Sequence, residues 1–171
     1  MNKLIFLVAL IFAGCYFSGA NLINDTYHYT GELLNNNSLK KGDKVVLATV
    51  VDINNLDDTT QFGRTVTEEV AKQFINDGYK VIDVRANLNG IVVRKKKGEF
   101  YITRDVEKLA NSIKANAIFY GTYSVAQQFV YVNLKLIDAK NHVILNSIDY
   151  RIPLTNDIKR MLGINKKENN Y

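Results

Sequence analysis

The chain has 171 residues, of which 47% are hydrophobic and 23% are charged, with 22 Lys and Arg against 17 Asp and Glu. This length fits one globular domain, and the apolar content excludes a wholly disordered chain. The single Cys has no partner within the chain, so a disulfide-stabilised scaffold is excluded as well.

The first 14 residues have the pattern of a secretory signal peptide. Lys3 precedes an apolar run from Leu4 to Phe12, and small residues follow. A membrane-spanning helix needs about 20 apolar residues, and this run is about half that length. Removal of residues 1–14 takes away Lys3 and no acid, which leaves 21 basic and 17 acidic side chains and a net charge of +4. We expect an exported protein that binds no nucleic acid, because its charge is modest and an exported chain meets no genome.

Cys15 follows Ala13 and Gly14 directly, an order that resembles the bacterial lipobox, although Phe12 stands where Leu is commoner. The alternative is an ordinary cleaved signal with an incidental Cys. Lipidation would anchor the chain stably through more than one acyl chain, and this covalent lipid on Cys15 is the only cofactor-like group we expect. In diderm lipoproteins, Tyr16 in place of Asp favours the outer membrane. We therefore expect a lipid-anchored protein facing the periplasm, with residues 15–19 as a short tether.

The mature chain is predicted to begin with a helix and a buried strand. Apolar residues at three- and four-residue spacing predict the helix over 18–36, with Ser18 as its N-cap. A nearly unbroken apolar run predicts a strand over 44–51. Such a run is typical of a central strand that is covered on both faces.

A second helix is predicted over 60–77, because apolar residues recur on one i, i+4 row. Asp58 and Gln61 have the spacing of a capping box, and Gly78 stands where a C-terminal cap belongs. A strand over 79–84 follows. The order strand, helix, strand predicts a right-handed crossover that joins two parallel strands.

The rest of the chain is predicted to contain a hairpin over 91–102, a helix over 104–114, strands over 117–125, 129–138 and 142–152, a short helix over 156–162 and a polar tail over 163–171. Apolar and polar residues alternate in the strand over 129–138, a pattern typical of a half-buried antiparallel strand. The predicted fold class is α/β (α+β). It is a single domain over 20–162, with a mixed parallel and antiparallel sheet of about five to six strands, two to three helices packed on it and a C-terminal three-strand antiparallel meander.

No residue pattern predicts catalysis or metal binding. His28 and His142 have no catalytic motif around them, and Cys15 is assigned to lipid. The segment from Asp52 to Asp58 has calcium-loop composition, but it lacks the Gly and Glu that an EF-hand requires, so we interpret its acids as turn formers and a helix cap. There is no phosphate-binding glycine motif either. We predict a protein that is not an enzyme.

Two groups of residues are candidates for contact with other molecules. The candidate interaction surface is the basic run at the tip of the predicted hairpin, Arg94, Lys95, Lys96 and Lys97. The alternative is a solvated tip whose charges prevent edge-to-edge strand pairing. The strand tyrosines are Tyr120, Tyr123, Tyr131 and Tyr150. They could form a recognition surface, or they could be cross-strand packing partners.

A series of short motifs resembles the FlgO-type outer-membrane lipoprotein domain. In chain order these are Leu39-Lys40-Lys41-Gly42-Asp43-Lys44-Val45-Val46, Val51-Asp52-Ile53, Phe62-Gly63-Arg64, Gly78-Tyr79-Lys80-Val81-Ile82-Asp83-Val84-Arg85, Gly98-Glu99-Phe100, Thr103-Arg104-Asp105, Gly121-Thr122-Tyr123 and Tyr131-Val132-Asn133. The resemblance covers about residues 20–162. Phe62 and Thr103 depart from it, since the family usually has Leu and Ser there.

The resemblance implies a small mixed-sheet domain similar to the amino-terminal domain of TolB. It also implies a non-enzymatic structural or assembly component around the flagellar basal body, needed for motility, with basal-body or other envelope proteins as partners. Whether the chain forms a homo-oligomer stays open. The family has no catalytic residues to carry over. Its motifs fit structural roles here: Gly63 and Gly78 at helix ends, Arg64 and Asp105 near helix starts, and Gly121 where another backbone approaches closely.

An alternative function is a periplasmic envelope lipoprotein that regulates peptidoglycan synthesis, since some such regulators resemble the same architecture. Tether length distinguishes the two functions. Three to five residues between Cys15 and the first helix reach less than about 20 Å. A regulator that crosses the cell wall would need a longer linker, so we favour the flagellar function.

Overall fold

The computed structural model describes residues 21–35, 37–56, 59–83, 106–108 and 110–164. Its elements are α1 (Leu22–Leu34), β1 (Lys44–Leu47), β2 (Val51–Asp52), α2 (Gln61–Asn76), β3 (Lys80–Asp83), β4 (Ala117–Val125), β5 (Phe129–Asp138), β6 (Ile144–Pro153) and α3 (Asn156–Met161). Residues 106–108 and 110–112 are helical, within the range predicted for the third helix. The predicted hairpin over 91–102 and the tail beyond residue 164 lie outside the described residues.

In the described residues the sheet has six strands. Five follow the order β3-β1-β4-β5-β6, and β2 pairs with β4 beyond the end of β1. β1 is parallel to both β3 and β4, which confirms the parallel pair predicted from the strand, helix, strand order. β4 pairs antiparallel with β5, and β5 pairs antiparallel with β6, as the predicted meander requires. The predicted mixed α/β fold of a single domain is therefore confirmed.

β1 is a central strand, but it is shorter than predicted. Its residues Val45, Val46 and Leu47 are all buried, as expected for a strand between two neighbours. The prediction of one strand over 44–51 is wrong because the ladder is interrupted after Leu47. There the amide of Val50 donates to the Thr67 side chain at 2.9 Å, so a helix residue takes the place of a strand partner.

α1 begins later than the sequence predicts. Asn21 is its N-cap and accepts a hydrogen bond from the Asn24 amide at 3.2 Å, whereas the predicted cap Ser18 lies outside the described residues. At the other end, the Asn146 side chain of β6 donates to the carbonyls of Leu33 and Asn35 at 2.9 and 3.2 Å. A side chain from a distant strand thus satisfies carbonyls that the last turn leaves without partners.

α2 begins and ends within one residue of the predicted range 60–77, but its N-cap differs from the prediction. Thr60 is the N-cap, and its hydroxyl accepts from the Gly63 amide at 3.4 Å. The predicted capping box of Asp58 and Gln61 is wrong, because Gln61 is already the first helical residue and Thr60 immediately precedes it. Gly78 has a φ of +90°, and its amide donates to the carbonyl of Ile75, which confirms the predicted glycine cap.

The main hydrophobic core lies between one face of the sheet and the three helices α1, α2 and α3. It holds the apolar residues of β5 that alternate as predicted: Val130, Val132, Leu134 and Leu136. A smaller cluster packs on the opposite face, where the helical residues Val106 and Ala110 meet Val46 and Ile118. Because Val45 and Val46 point into different clusters, β1 needs apolar residues at consecutive positions.

Candidate functional site

The two histidines occupy separate surface positions. His28 is on α1, where its Nε2 atom lies 3.2 Å from Glu32 Oε1 on the solvent-exposed side of the helix. His142 lies in the turn between β5 and β6 with a φ of +59°, because the strand predicted over 142–152 begins only at Ile144. Within the described ranges, no group of three or more His, Cys, Asp or Glu residues could hold a metal ion.

The acids of the predicted calcium-like segment serve the local backbone where they are described. Asp52 Oδ1 accepts from the Asn54 amide at 2.8 Å and from the Asn54 side chain at 3.3 Å. Asp52 is therefore a turn former, as interpreted from the sequence. Asp57 and Asp58 lie outside the described residues, and the predicted helix cap is supplied by Thr60 instead.

The residues predicted for lipidation and interaction, Cys15 and the run Arg94–Lys97, also lie outside the described residues. Both therefore stay predictions. The four strand tyrosines are all described, and they fall into two groups. Tyr123 and Tyr150 are buried, whereas Tyr120 is half-buried and Tyr131 is 47% exposed. The structure thus does not bring the four together as one recognition surface.

Three of the motifs that carry the family resemblance meet at one end of the sheet. Val51 and Asp52 of β2 pair in parallel with Thr122 and Tyr123 of β4. The next amide, that of Ile53, donates to the Tyr123 carbonyl at 2.9 Å. Two segments about 70 positions apart in the chain are therefore joined by backbone hydrogen bonds.

Tyr123 links the paired strands β2 and β4 to the start of α2. Its hydroxyl lies 2.9 Å from the Thr60 hydroxyl, and its ring packs edge-on against the Phe62 ring with centroids 5.2 Å apart. Thr60 is also the N-cap of α2. Only 1% of Tyr123 is exposed, so this phenol holds a strand and a helix together rather than facing a ligand.

Gly63 allows α2 to pack against the chain between β1 and β2. A Cβ atom at this position would overlap the carbonyl oxygen of Val50 and lie 2.8 Å from Thr59 Oγ1. The same carbonyl accepts from Thr59 Oγ1 at 3.0 Å, and Thr67 Oγ1 donates to the Gly63 carbonyl at 2.8 Å. The absence of a side chain at Gly63 is therefore a packing requirement.

Gly121 also has no room for a side chain, and it packs against the side chain of Val50. A Cβ atom there would lie 3.0 Å from both the Asn133 carbonyl oxygen and Val50 Cγ2, and 2.9 Å from Leu134 Cδ2. This confirms the predicted close approach at Gly121. We call the whole contact region the strand–helix junction, and it consists of Val50, Asp52, Thr60, Phe62, Gly63, Thr67, Gly121 and Tyr123.

The opposite end of the sheet is rich in exposed lysines. Here β1, β3 and β4 begin, and the antiparallel β5 ends, since Ala117 pairs with Asp138. The exposed lysines are Lys40, Lys41, Lys44, Lys80, Lys114 and Lys140. Lys44 Nζ donates to the Ile113 carbonyl at 3.0 Å, where a helical stretch ends. Positive charge at helix C-termini is stabilising, so Lys44 has a structural role that requires no ligand.

A buried polar pair on α1 and β6 is the feature that sequence analysis missed. Thr26 and Tyr150 are both buried, and their hydroxyls lie 2.9 Å apart. The Tyr29 ring stacks on the Tyr150 ring with centroids 4.7 Å apart. Burial raises the pKa of Tyr150 well above its ordinary value near 10, so the phenol stays neutral at neutral pH. The alternation of β6 is a signal that could have placed Tyr150 inside.

Comparison with known proteins identifies a family for this domain. The family model described as FlgO protein matches residues 27–157. No curated protein matches the sequence. In the part of the chain that the structure describes, no helix has the length and hydropathy needed to cross a membrane.

The solved structures with a similar fold include domains of LpoB. The C-terminal domain of LpoB from Salmonella enterica has a TM-score of 0.57 at 12% identity, with 75% of this chain and 96% of that chain covered. The Escherichia coli domain has a TM-score of 0.56 at 10% identity, with 79% and 98% covered. The NMR structure of E. coli LpoB gives 0.55 at 12% identity, with 74% of this chain and 64% of that chain covered. These likenesses concern the fold. The family match spans most of the chain and includes the motifs of the strand–helix junction, so the chain belongs to the FlgO protein family.

Proposed function

We propose that this protein is an outer-membrane-anchored lipoprotein that acts as a non-enzymatic structural or assembly component around the flagellar basal body. The observation that carries the proposal is the FlgO family match over residues 27–157. At a coarser level, this membership supports a non-enzymatic lipoprotein of the cell envelope. The geometry of the motifs agrees, because those at the strand–helix junction hold strands and a helix together.

The proposed anchor is the lipid on Cys15. From Cys15 to Asn21, the N-cap of α1, there are six residue steps. A chain of that length spans at most about 20 Å, whatever its conformation. A lipidated protein would therefore keep its folded domain close to the membrane, where it would meet partners at the outer-membrane end of an envelope structure.

A second candidate function is the regulation of peptidoglycan synthesis by a periplasmic lipoprotein. The architecture shared with LpoB, at a TM-score of 0.57, is the observation that favours it. The reach of about 20 Å from Cys15 to Asn21 argues against it, because the domain could not extend far from its membrane. In the E. coli LpoB chain solved by NMR, about a third of the length lies outside the matched region.

The experiment that tests the proposal compares a deletion strain with the same strain complemented by the wild type or by Cys15→Ser. We expect the deletion to lose swimming in soft agar and the wild type to restore it. Cys15→Ser should restore little, because the chain would lose its anchor. Incorporation of a labelled peptidoglycan precursor should be the same in all strains. Normal swimming with impaired incorporation in the deletion would instead establish the second candidate.

The basic run is the proposed interaction surface. Replacement of Arg94, Lys95, Lys96 and Lys97 by Ala should reduce swimming while the protein stays in the membrane fraction. The matched control replaces Lys40 and Lys41, two exposed lysines, and should swim normally. Full swimming with the four-residue variant would contradict this role and favour a solvated tip.

A further inference from the structure

The outer edge of β6 is a long strand edge at the end of the sheet. β6 runs from Ile144 to Pro153, and within the described part of the chain only β5 pairs with it. Backbone amides and carbonyls on the other side of such a strand are available to pair with another strand. Natural proteins usually shorten or block such an edge. The β5–β6 pairing has a register shift between Ile144 and Asn146, and the strand ends at Pro153, so the regular part of the edge is Asn146 to Ile152, and its length calls for an explanation.

The middle of β6 has a self-complementary sequence, Ile148-Asp149-Tyr150-Arg151-Ile152. If two copies pair antiparallel with Tyr150 opposite Tyr150, Asp149 of each copy lies opposite Arg151 of the other. The same register places Ile148 opposite Ile152 twice. Directly opposite side chains in an antiparallel pair have Cβ atoms about 4.5–5.5 Å apart, so each acid would meet a base across the two-fold axis.

The two charged side chains are placed to make such contacts. Asp149 and Arg151 are exposed and alternate with the buried Tyr150 and Ile152, so they lie on the face of β6 that points away from the main core. Neither forms an ion pair with another described residue. The Arg151 guanidinium lies over the Phe129 ring of β5, 4.5 Å from its centroid, so pairing requires this side chain to turn from β5 toward the outer edge.

The core face of β6 is already occupied, so a partner strand would have to approach in the plane of the sheet. Tyr29 of α1 stacks on Tyr150, and Asn146 binds the end of α1. α1 contacts both β5 and β6. Helices packed side by side need about 8–10 Å between their axes, which is about two strand spacings. A joined sheet therefore requires each α1 to lie on the β5 side of its own β6, and α1 already contacts both strands.

We propose that the outer edge of β6 is a homodimerisation surface, in which two copies of this chain join their sheets through an antiparallel β6–β6 pair centred on Tyr150. The interface is isologous and needs no other protein. Strand pairing over one edge gives a modest affinity. Confinement of lipid-anchored copies to one membrane would raise their effective concentration and favour the dimer.

The pairing of Asp149 with Arg151 allows a charge-reversal test. Its expected result, recovery of dimerisation when two variants are mixed, cannot come from misfolding. The full chain is prepared in detergent as wild type, Asp149→Arg and Arg151→Asp, and the mass of each is measured by sedimentation. The wild type should dimerise, and each single variant should associate about ten-fold more weakly because like charges then face each other. Lys140→Asp has the same change of charge as Arg151→Asp but lies in the β5–β6 turn, so it should dimerise like the wild type.

Mixing the two single variants is the decisive step. Asp149→Arg carries two basic residues at the paired positions and Arg151→Asp carries two acidic ones, so together they should form a heterodimer. Differently tagged variants should then co-purify, although neither does so with a second copy of itself. A wild type that is monomeric at every concentration would overturn the proposal. Single variants that dimerise like the wild type, or a mixture that does not associate, would also overturn it.

Discussion

At the scale of single residues, the motifs of the FlgO family serve packing in this chain. Gly63 leaves room for the Val50 carbonyl, which a Cβ atom would overlap. Gly121 likewise leaves room for the side chains of Val50 and Leu134. Tyr123 joins β4 to the cap of α2 through its hydroxyl. Such residues specify how the strands and α2 pack together. The motifs therefore have a structural role that needs no catalytic residue.

Gly63→Ala tests this directly. We expect it to lower the free energy of unfolding by about 2–4 kcal/mol, because the new methyl group must displace backbone at Val50. Gly31→Ala is the matched control on α1. There the added Cβ would lie 3.7 Å from Gln73 Nε2, an ordinary contact, so the gain in helix propensity should stabilise the protein by about 0.5–1 kcal/mol. Urea denaturation measures both, and equal effects of the two substitutions would contradict the packing role.

The buried hydroxyl pair gives a second prediction. Tyr150→Phe leaves the buried Thr26 hydroxyl without its phenol partner and should cost about 1–3 kcal/mol of unfolding free energy. Adding Thr26→Val removes the second polar group, so the double variant should be less destabilised than the sum of the two single variants. Thermal or urea unfolding of all four proteins measures the coupling. Strict additivity would show that the two hydroxyls do not interact.

Some residue roles could be predicted from the sequence and others could not. Gly78 was predictable because a glycine after an amphipathic helix is a common cap, and its φ of +90° confirms it. Thr26 and Thr30 were not, because threonines count as polar in an amphipathic pattern although both are fully buried here. The Thr30 hydroxyl donates to the Thr26 carbonyl within α1, whereas the Thr26 hydroxyl meets Tyr150, a contact that only the folded chain brings together.

At the scale of secondary-structure elements, alternation and turns were reliable guides. β4, β5 and the end of β6 lie within one residue of their predicted positions, because long strands with one buried face leave a clear two-residue period. The break between β1 and β2 was not predictable. It depends on Thr67 of α2 taking the Val50 amide, a long-range contact that the apolar run from 44 to 51 does not reveal.

The turn between β5 and β6 should make stability depend weakly on pH. Asp138 accepts hydrogen bonds from the amides of Asn141 and Lys140, and these hold the pKa of its carboxyl below the ordinary value of 3.8. A depressed folded-state pKa contributes stability that is fully present above the unfolded pKa and is lost as pH falls through the folded pKa. The effect is small because the carboxyl is largely exposed to solvent.

Asp138→Asn removes this contribution while keeping an oxygen that can accept both hydrogen bonds. We expect the wild type to be more stable than the variant at neutral pH, and the difference to shrink as the pH falls below 3.8. Urea denaturation at a series of pH values measures this trend. A difference that stays constant into strong acid would mean that the carboxylate charge does not stabilise the turn.

At the scale of the whole molecule, one mixed sheet carries three helices on its main core face and belongs to the FlgO protein family. The strand–helix junction holds one end of this sheet together, and lysines cover the other end. The proposed tether joins at Asn21, and the proposed homodimer joins at β6. The anchor would attach at the start of α1, which packs on the core face of β6, whereas the dimer would form along the outer edge of the same strand. A protein held at the membrane would therefore pair close to its anchor.

In the proposed function, the protein is an anchored component around the flagellar basal body. Electron cryotomography of basal bodies tests it most directly, in the wild type, the deletion and the Cys15→Ser strain. We predict density next to the outer membrane that is present in the wild type, missing in the deletion and lost in Cys15→Ser. Complete basal bodies in the deletion strain, indistinguishable from those of the wild type, would contradict the proposed flagellar function.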